Sequence, residues 1–120
     1  MRRHHRLHAW QQAMQLVVDV YQLTASLPDS ERFGLVSQMR RAAVSVPSNI
    51  AEGAGRGGSA DFLRFLRIAR GSLSELETQY LLLQHLGYGA DDGQLGESIE
   101  SVFGQLGGLI KHIEGTRRQE

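Results

Sequence analysis

Hydrophobic residues recur at alternating steps of three and four along four stretches of the chain. This spacing places each set on one side of an α-helix. The alternation of β-branched residues that is typical of strands is absent, and the chain has only two prolines. The pattern predicts one all-α domain over residues 1–120, folded as an antiparallel up-down-up-down four-helix bundle.

The first predicted helix runs from about Leu7 to Leu27 and ends before Pro28, which disfavours helix in the preceding residue. It carries two neighbouring apolar stripes. The first consists of Leu7, Trp10, Met14, Val17, Tyr21 and Thr24, and the second of Ala13, Leu16, Val20, Leu23 and Leu27. An apolar face of this width suits a helix that contacts more than one neighbour.

The second predicted helix runs from about Glu31 to Ala54, with Asp29 or Ser30 as its N-cap. Its stripe keeps its phase across Pro47. Proline removes one backbone donor and crowds the carbonyl of Ala43, so we expect one helix that is kinked at Pro47.

The third predicted helix follows a flexible connector over Gly53–Gly58, is capped by Ser59 and ends at Gly87. Its stripe consists of Phe62, Leu66, Ala69, Leu73, Leu76, Tyr80 and Leu83. A turn over Tyr88–Gly93 leads to a fourth helix, which begins at Asp92 or Gly93, ends at Glu114 and leaves Thr116–Glu120 frayed. The stripe of the fourth helix consists of Leu95, Ile99, Val102, Leu106, Leu109 and Ile113.

The charges are balanced overall but unevenly distributed. The chain has 13 basic and 13 acidic residues. Residues 1–70 hold ten arginines against five acids, giving +5, whereas residues 71–120 hold three basic residues against eight acids, giving −5. A folded surface can therefore gather arginine on one side, which leaves nucleic-acid binding open despite the neutral total.

Composition excludes several other classes of protein. With no cysteine, the chain has no disulfides, zinc–thiolate sites or thiol nucleophiles. No apolar run reaches the ~20 residues that a membrane-spanning helix needs. The basic N-terminus is not followed by the apolar segment of a signal peptide, so we expect a cytoplasmic protein without membrane contact.

We find no catalytic centre in the sequence, and we expect no metal and no cofactor. A carboxylate-bridged metal pair in a four-helix bundle needs Glu-x-x-His on two helices, and His never stands three residues after a Glu. The connector Gly53–Gly58 is not followed by Gly-Lys-Ser/Thr and no strand precedes it, so it is not a phosphate loop.

A polar ridge follows the second helix beside Pro47, where Arg41, Ser45, Ser48 and Glu52 recur at helical spacing. Three interpretations are open: hydroxyls that bind carbonyls freed by the proline, a ligand site, or an interface between subunits. We expect a structural network, in which Glu52 and Glu75 pair with Arg41 and Arg70. Its members are Arg41, Ser45, Ser48, Asn49, Glu52, Arg70 and Glu75.

A second polar group lies at the start of the third helix, where Arg64, Arg67 and Arg70 occur at every third position and Arg56 lies just upstream. They form either a basic patch or an ordinary solvated helix surface.

Several motifs together resemble a known family. They are the run Arg40–Gly53 (RRAAVSVPSNIAEG), Trp10–Met14 (WQQAM) with Tyr21, Phe33–Leu35 (FGL), Phe62–Thr78 (FLRFLRIARGSLSELET) and Leu86–Tyr88 (LGY). The chain resembles the four-helix-bundle proteins encoded in intervening sequences of large-subunit ribosomal RNA genes. That resemblance implies a homopentameric ring and no known enzymatic activity.

The chain is also similar to the accessory protein of diversity-generating retroelements, a pentamer implicated in binding nucleic acid and a reverse transcriptase. The positions that could carry over nucleic-acid binding are Arg40, Arg41, Arg56, Arg64, Arg67 and Arg70. We expect Arg40, Arg56, Arg64 and Arg67 to contact RNA or DNA. The alternative is a scaffold that binds a reverse transcriptase or another protein.

Overall fold

The computed structural model describes residues 1–89 and 93–119, and these residues form helices and no strand. The four α-helices are α1, His8–Ala25; α2, Leu35–Gly55; α3, Ser59–His85; and α4, Gln94–Gln119. Short 3-10 helices precede α1 and α2, at Arg3–Arg6 and Asp29–Glu31. The prediction of an all-α four-helix bundle is confirmed.

Each helix packs against two others: α1 and α3 both contact α2 and α4. Contacts between α2 and α3 run in opposite directions along the two helices, because Ser45 meets Ser72 whereas the later Gly53 meets Phe62 and Phe65. The core lies between the four helices. Its largest fully buried side chains include Leu16, Met39, Ile50, Phe62, Leu66, Leu73, Leu76, Leu83, Ile99 and Leu106.

The two stripes of α1 have different environments. The second stripe is the core stripe, with Ala13, Leu16 and Val20 fully buried. In the first stripe Met14 and Tyr21 stay exposed. The bundle therefore uses only part of the wide apolar face.

The start of α2 differs from the prediction. The helix begins at Leu35, and neither Asp29 nor Ser30 caps it. Instead the Glu31 side chain lies at the start of the helix, and its Oε1 accepts a hydrogen bond from the Leu35 amide at 3.3 Å. Its Oε2 accepts another from the Tyr88 hydroxyl at 3.2 Å, which joins the loop before α2 to the end of α3. Burial and the adjacent Glu31 carboxylate raise the pKa of Tyr88.

Other helix ends also differ from the predicted ones. The helix α2 continues to Gly55, so the predicted connector Gly53–Gly58 shrinks to residues 56–58, and Gly58 rather than Ser59 is the N-cap of α3. Gly87, with a φ of +82°, follows the end of α3 as predicted. The predicted end of α4 at Glu114 is wrong, since the helix reaches Gln119. Residues 90–92 of the predicted turn, the start at Asp92 and Glu120 lie outside the described residues.

The helix persists through Gly53 because α2 crosses α3 very closely there. A Cβ on Gly53 would lie 2.7 Å from the Phe65 Cβ and 3.3 Å from the Phe62 carbonyl oxygen. Packing at this crossing outweighs the low helix propensity of glycine. Pro47 lies inside the same continuous helix and is buried; a kink at Pro47 stays a prediction.

The N-terminal segment ends in an aromatic cluster. The rings of His4 and His5 lie 5.1 Å and 5.0 Å from that of Trp10, centroid to centroid, and 4.4 Å from each other. Burial, followed by the nearby His5 and Arg2 charges, lowers the pKa of His4.

Replacing Gly53 by alanine should destabilise the fold by about 1–3 kcal/mol, because the added methyl group overpacks the crossing. Thermal unfolding followed by circular dichroism measures this effect. The matched control is Gly71→Ala in α3, where no other group lies within 4 Å of the added Cβ. That control should gain stability, since alanine favours helix. Equal melting temperatures for the two variants would contradict the close crossing.

The His4 cluster should loosen in mild acid. The folded-state pKa of His4 lies below the ordinary 6.5. Between pH 6.5 and that lower value, the unfolded segment binds more protons than the folded cluster does. The stabilisation of the folded cluster is therefore complete above pH 6.5 and is lost as the pH falls through the folded-state pKa of His4. The only tryptophan in the chain, Trp10, reports the change by fluorescence. His4→Gln should abolish the transition and His85→Gln should leave it intact; the reverse result would rule out His4 as its source.

Candidate nucleic-acid interface

Four segments of the chain lie at one end of the bundle. They are the N-terminal 3-10 helix, the α2–α3 connector, the first turns of α3 and the C-terminal turns of α4. The Arg3 guanidinium lies 5.1 Å from the Phe62 ring centroid, and Arg67 of α3 shares a groove with Arg117 and Arg118 of α4. We call this region the basic end and define it by Arg3, Arg56, Arg64, Arg67, Arg117 and Arg118.

Two phenylalanines lie beneath these arginines. Phe62 and Phe65 are buried at the crossing of α2 and α3. The guanidinium groups of Arg56 and Arg64 lie 5.1 Å and 4.5 Å from the Phe65 ring centroid. Cation–π attraction holds both groups near the ring while their remaining donors face solvent.

Three acids accompany the six arginines. Glu52 pairs with Arg56 at 2.9 Å, Asp61 with Arg64 at 3.6 Å and Glu114 with Arg67 at 2.7 Å. Arg3, Arg117 and Arg118 have no acidic partner within residues 1–89 and 93–119. Six positive charges against three negative charges leave +3. Solvent-exposed pairs contribute at most about 1 kcal/mol each, so a polyanion can replace the acids at little cost.

Of the four arginines expected to contact nucleic acid, the fold brings Arg56, Arg64 and Arg67 together. Arg40 does not join them. Its Nε donates to the Thr24 hydroxyl at 2.9 Å, and its guanidinium lies 4.3 Å from the Tyr21 ring centroid. Arg40 therefore joins α2 to the last turns of α1, far from the basic end.

Sequence reasoning missed Arg3, Arg117 and Arg118. They lie close to the two ends of the chain, so no local pattern connects them with Arg56 or Arg64. The sequence feature that could have predicted their position is the number of helices. An even number of antiparallel helices returns the C-terminus to the end where the chain began. The connector between the second and third helices lies at that same end.

The polar ridge of α2 contains a smaller network than expected. The hydroxyls of Ser45 and Ser72 are 2.8 Å apart, which links α2 to α3. The side-chain amide of Asn49 donates to the Ser45 carbonyl at 2.7 Å and to its hydroxyl at 2.9 Å. Ser48 is exposed, and no hydrogen bond of its side chain appears in the described residues. The linking residue on α3, Ser72, was not predicted.

The predicted pairing of Glu52 and Glu75 with Arg41 and Arg70 is wrong. Glu52 is exposed and pairs with Arg56 rather than Arg41. Glu75 is exposed and accepts a hydrogen bond from Gln79 at 3.3 Å rather than from Arg70. Both glutamates lie off the core stripes of their helices, so neither needs a partner to offset burial. Arg41 and Arg70 are exposed and unpaired within the described part of the chain.

The described residues contain no cluster of three histidine or acidic side chains that could hold a metal ion. Within the same residues, no helix combines the length and the apolar character that a membrane span requires.

Comparison with curated proteins finds no match. The family model described as 23S rRNA-intervening sequence protein matches residues 5–108, which include all of α1, α2 and α3 and the first half of α4. The chain therefore belongs to the 23S rRNA-intervening sequence protein family.

Proposed function

We propose that this protein is a non-catalytic, oligomeric module that binds RNA or DNA through the basic end. The observation that carries the proposal is the convergence of six arginines from four segments on one end of the bundle. Guanidinium groups match phosphate oxygens in a planar, bidentate geometry. Arginine is therefore suited to contact a nucleic-acid backbone without reading its sequence.

A neutral net charge is compatible with this function because the charges are separated in space. Asp29 and Glu31 precede α2 and Glu97 lies in the first turn of α4, so these acids are at the end opposite the basic end. Attraction of a polyanion depends on the local potential and not on the total charge. The chain therefore offers a cluster of arginines to a phosphate backbone at one end and places these acids at the other.

An apolar groove between α1 and α2 supports the oligomeric part of the proposal. Its volume is about 360 Å³, and Trp10, Met14, Val17, Val44 and Pro47 line most of it. Met14 remains 45% exposed. In a homopentamer, which the family resemblance implies, a neighbouring copy covers this groove. Five copies of the basic end then bind one strand with greater avidity than a single copy does.

The apolar side chains at the start of α3 do not supply a surface for oligomerisation. Phe62, Leu63, Phe65 and Leu66 are all buried within a single chain. The apolar surface left for a partner lies instead on α1 and α2.

One exposed residue favours the alternative function, a scaffold that binds a reverse transcriptase or another protein. Phe33, in the loop before α2, is 86% exposed. Its only ring contact in the described residues is the Arg32 guanidinium at 5.2 Å. An aromatic side chain held in solvent in this way is suited to insert into a pocket of a protein partner.

Changing Arg64, Arg67 and Arg117 to Gln should weaken binding of a single-stranded 20-nucleotide RNA, because three phosphate contacts are lost. Each contact contributes about 0.7 to the slope of log K against log salt, so the slope should fall by roughly 2. Fluorescence anisotropy from about 50 to 200 mM salt measures both quantities.

The matched control for this variant changes Arg32, Arg41 and Arg70 to Gln, which removes the same charge elsewhere. It should lower affinity less and keep the salt slope. Equal losses in both variants would argue for a diffuse field rather than an interface at the basic end. A wild-type protein that binds neither RNA nor DNA at low salt would leave the scaffold as the function.

Met14→Asp should dissociate the oligomer, because it places a charge in the apolar groove that a second copy covers. Sedimentation velocity at micromolar concentration should give an assembly of about five subunits for the wild type and a 13.3 kDa monomer for the variant. The control Gln22→Asp changes an exposed polar position of the same helix and should keep the assembly. A monomeric wild type would contradict the oligomeric part of the proposal.

A further inference from the structure

The basic end contains a groove between the first turns of α3 and the last turns of α4. Its volume is about 410 Å³. Ala60 and Leu63 form the apolar part of its wall, and Arg67, Arg117 and Arg118 supply three guanidinium groups. The groove therefore combines an apolar surface with positive charge, as a nucleotide requires for its sugar or base and for its phosphate.

Among the described residues, Glu114 is the only acid that lines this groove. Its Oε2 lies 2.7 Å from the Arg67 Nη2, which makes this the shortest of the three ion pairs at the basic end. The pair joins α4 to α3, whereas the other two pairs lie within three or four residues along the chain. Glu114 is 34% exposed, against 54% for Glu52 and 50% for Asp61.

We propose that this groove is a subsite for one nucleotide of a single-stranded nucleic acid, and that Glu114 competes with the phosphodiester for Arg67. The inference rests on the proposed function and specifies its ligand. The strand's phosphate replaces the carboxylate on Arg67, and Arg117 and Arg118 supply the remaining donors. The Leu63 and Ala60 side chains contact the sugar or the base.

Charge and size both favour this ligand. The described lining residues carry three arginines against one carboxylate, which gives +2. Carboxylate and phosphate bind the same face of a guanidinium group. The volume falls in the range of about 300–1,000 Å³ that is usual for small-ligand pockets. A flexible strand can place one unstacked nucleotide in such a groove, whereas a duplex keeps its bases paired and stacked.

The test compares Glu114→Gln with Glu100→Gln, which removes the same charge from α4 about four turns away. The probe is a fluorescein-labelled 20-nucleotide single-stranded RNA at about 50 mM salt, with a duplex of the same length alongside. Glu114→Gln should bind the single strand roughly tenfold more tightly than Glu100→Gln does, the scale of one hydrogen bond to a charged group. Duplex affinity should change equally in the two variants.

A second variant covers the case in which loss of the ion pair between α3 and α4 disturbs the fold of Glu114→Gln. Arg117→Gln combined with Arg118→Gln leaves every described ion pair intact. It should weaken single-strand binding by at least tenfold more than Arg32→Gln combined with Arg41→Gln, because two guanidinium–phosphate contacts are lost.

The outcomes separate this inference from the proposed function. If the wild type binds RNA but Glu114→Gln gains no more affinity than Glu100→Gln, the competition is refuted and binding at the basic end stands. If the duplex gains as much as the single strand, the nucleotide subsite is refuted. If neither the wild type nor any variant binds either probe, both proposals fail.

Discussion

The close crossing of α2 and α3 at Gly53 is the constraint on which the rest of the structure depends. With no side chain at that position, the backbone of α2 approaches Phe62 and Phe65 to within van der Waals contact. Both rings are thereby enclosed in the core of a single chain. The same crossing places Arg56, at the end of α2, and Arg64, in α3, over the Phe65 ring. Core packing and the arrangement of the basic end thus have one origin.

Identical side chains have different roles according to what the fold places beside them. Arg40 meets a buried hydroxyl and an aromatic ring, so its donors are used within the bundle. Arg67 meets only a partly exposed carboxylate, which another anion can replace. The proposed contact with a phosphate backbone therefore depends on which arginines have exchangeable partners, and not on how many arginines the chain contains.

Basic, apolar and aromatic groups lie on different parts of the bundle's outer surface. Basic groups occupy one end, an apolar groove follows α1 and α2, and Phe33 stands in solvent at the opposite end. The proposed self-association through the groove and the proposed nucleic-acid contact through the basic end would therefore use different surfaces of the molecule.

Hydrophobic periodicity was sufficient to predict the four helices, the core stripe of α3 and the end of that helix at Gly87, because each depends on neighbours within a few turns. It did not predict the start of α2 at Leu35, where the Glu31 carboxylate accepts a hydrogen bond from the Leu35 amide. Nor did it show that α2 extends to Gly55, since glycine is unfavourable in an isolated helix and is retained here by packing against α3. The convergence of Arg3, Arg117 and Arg118 on α3 required the tertiary fold, because Arg3 reaches Phe62 and the two C-terminal arginines reach Arg67 only when the helices pack side by side.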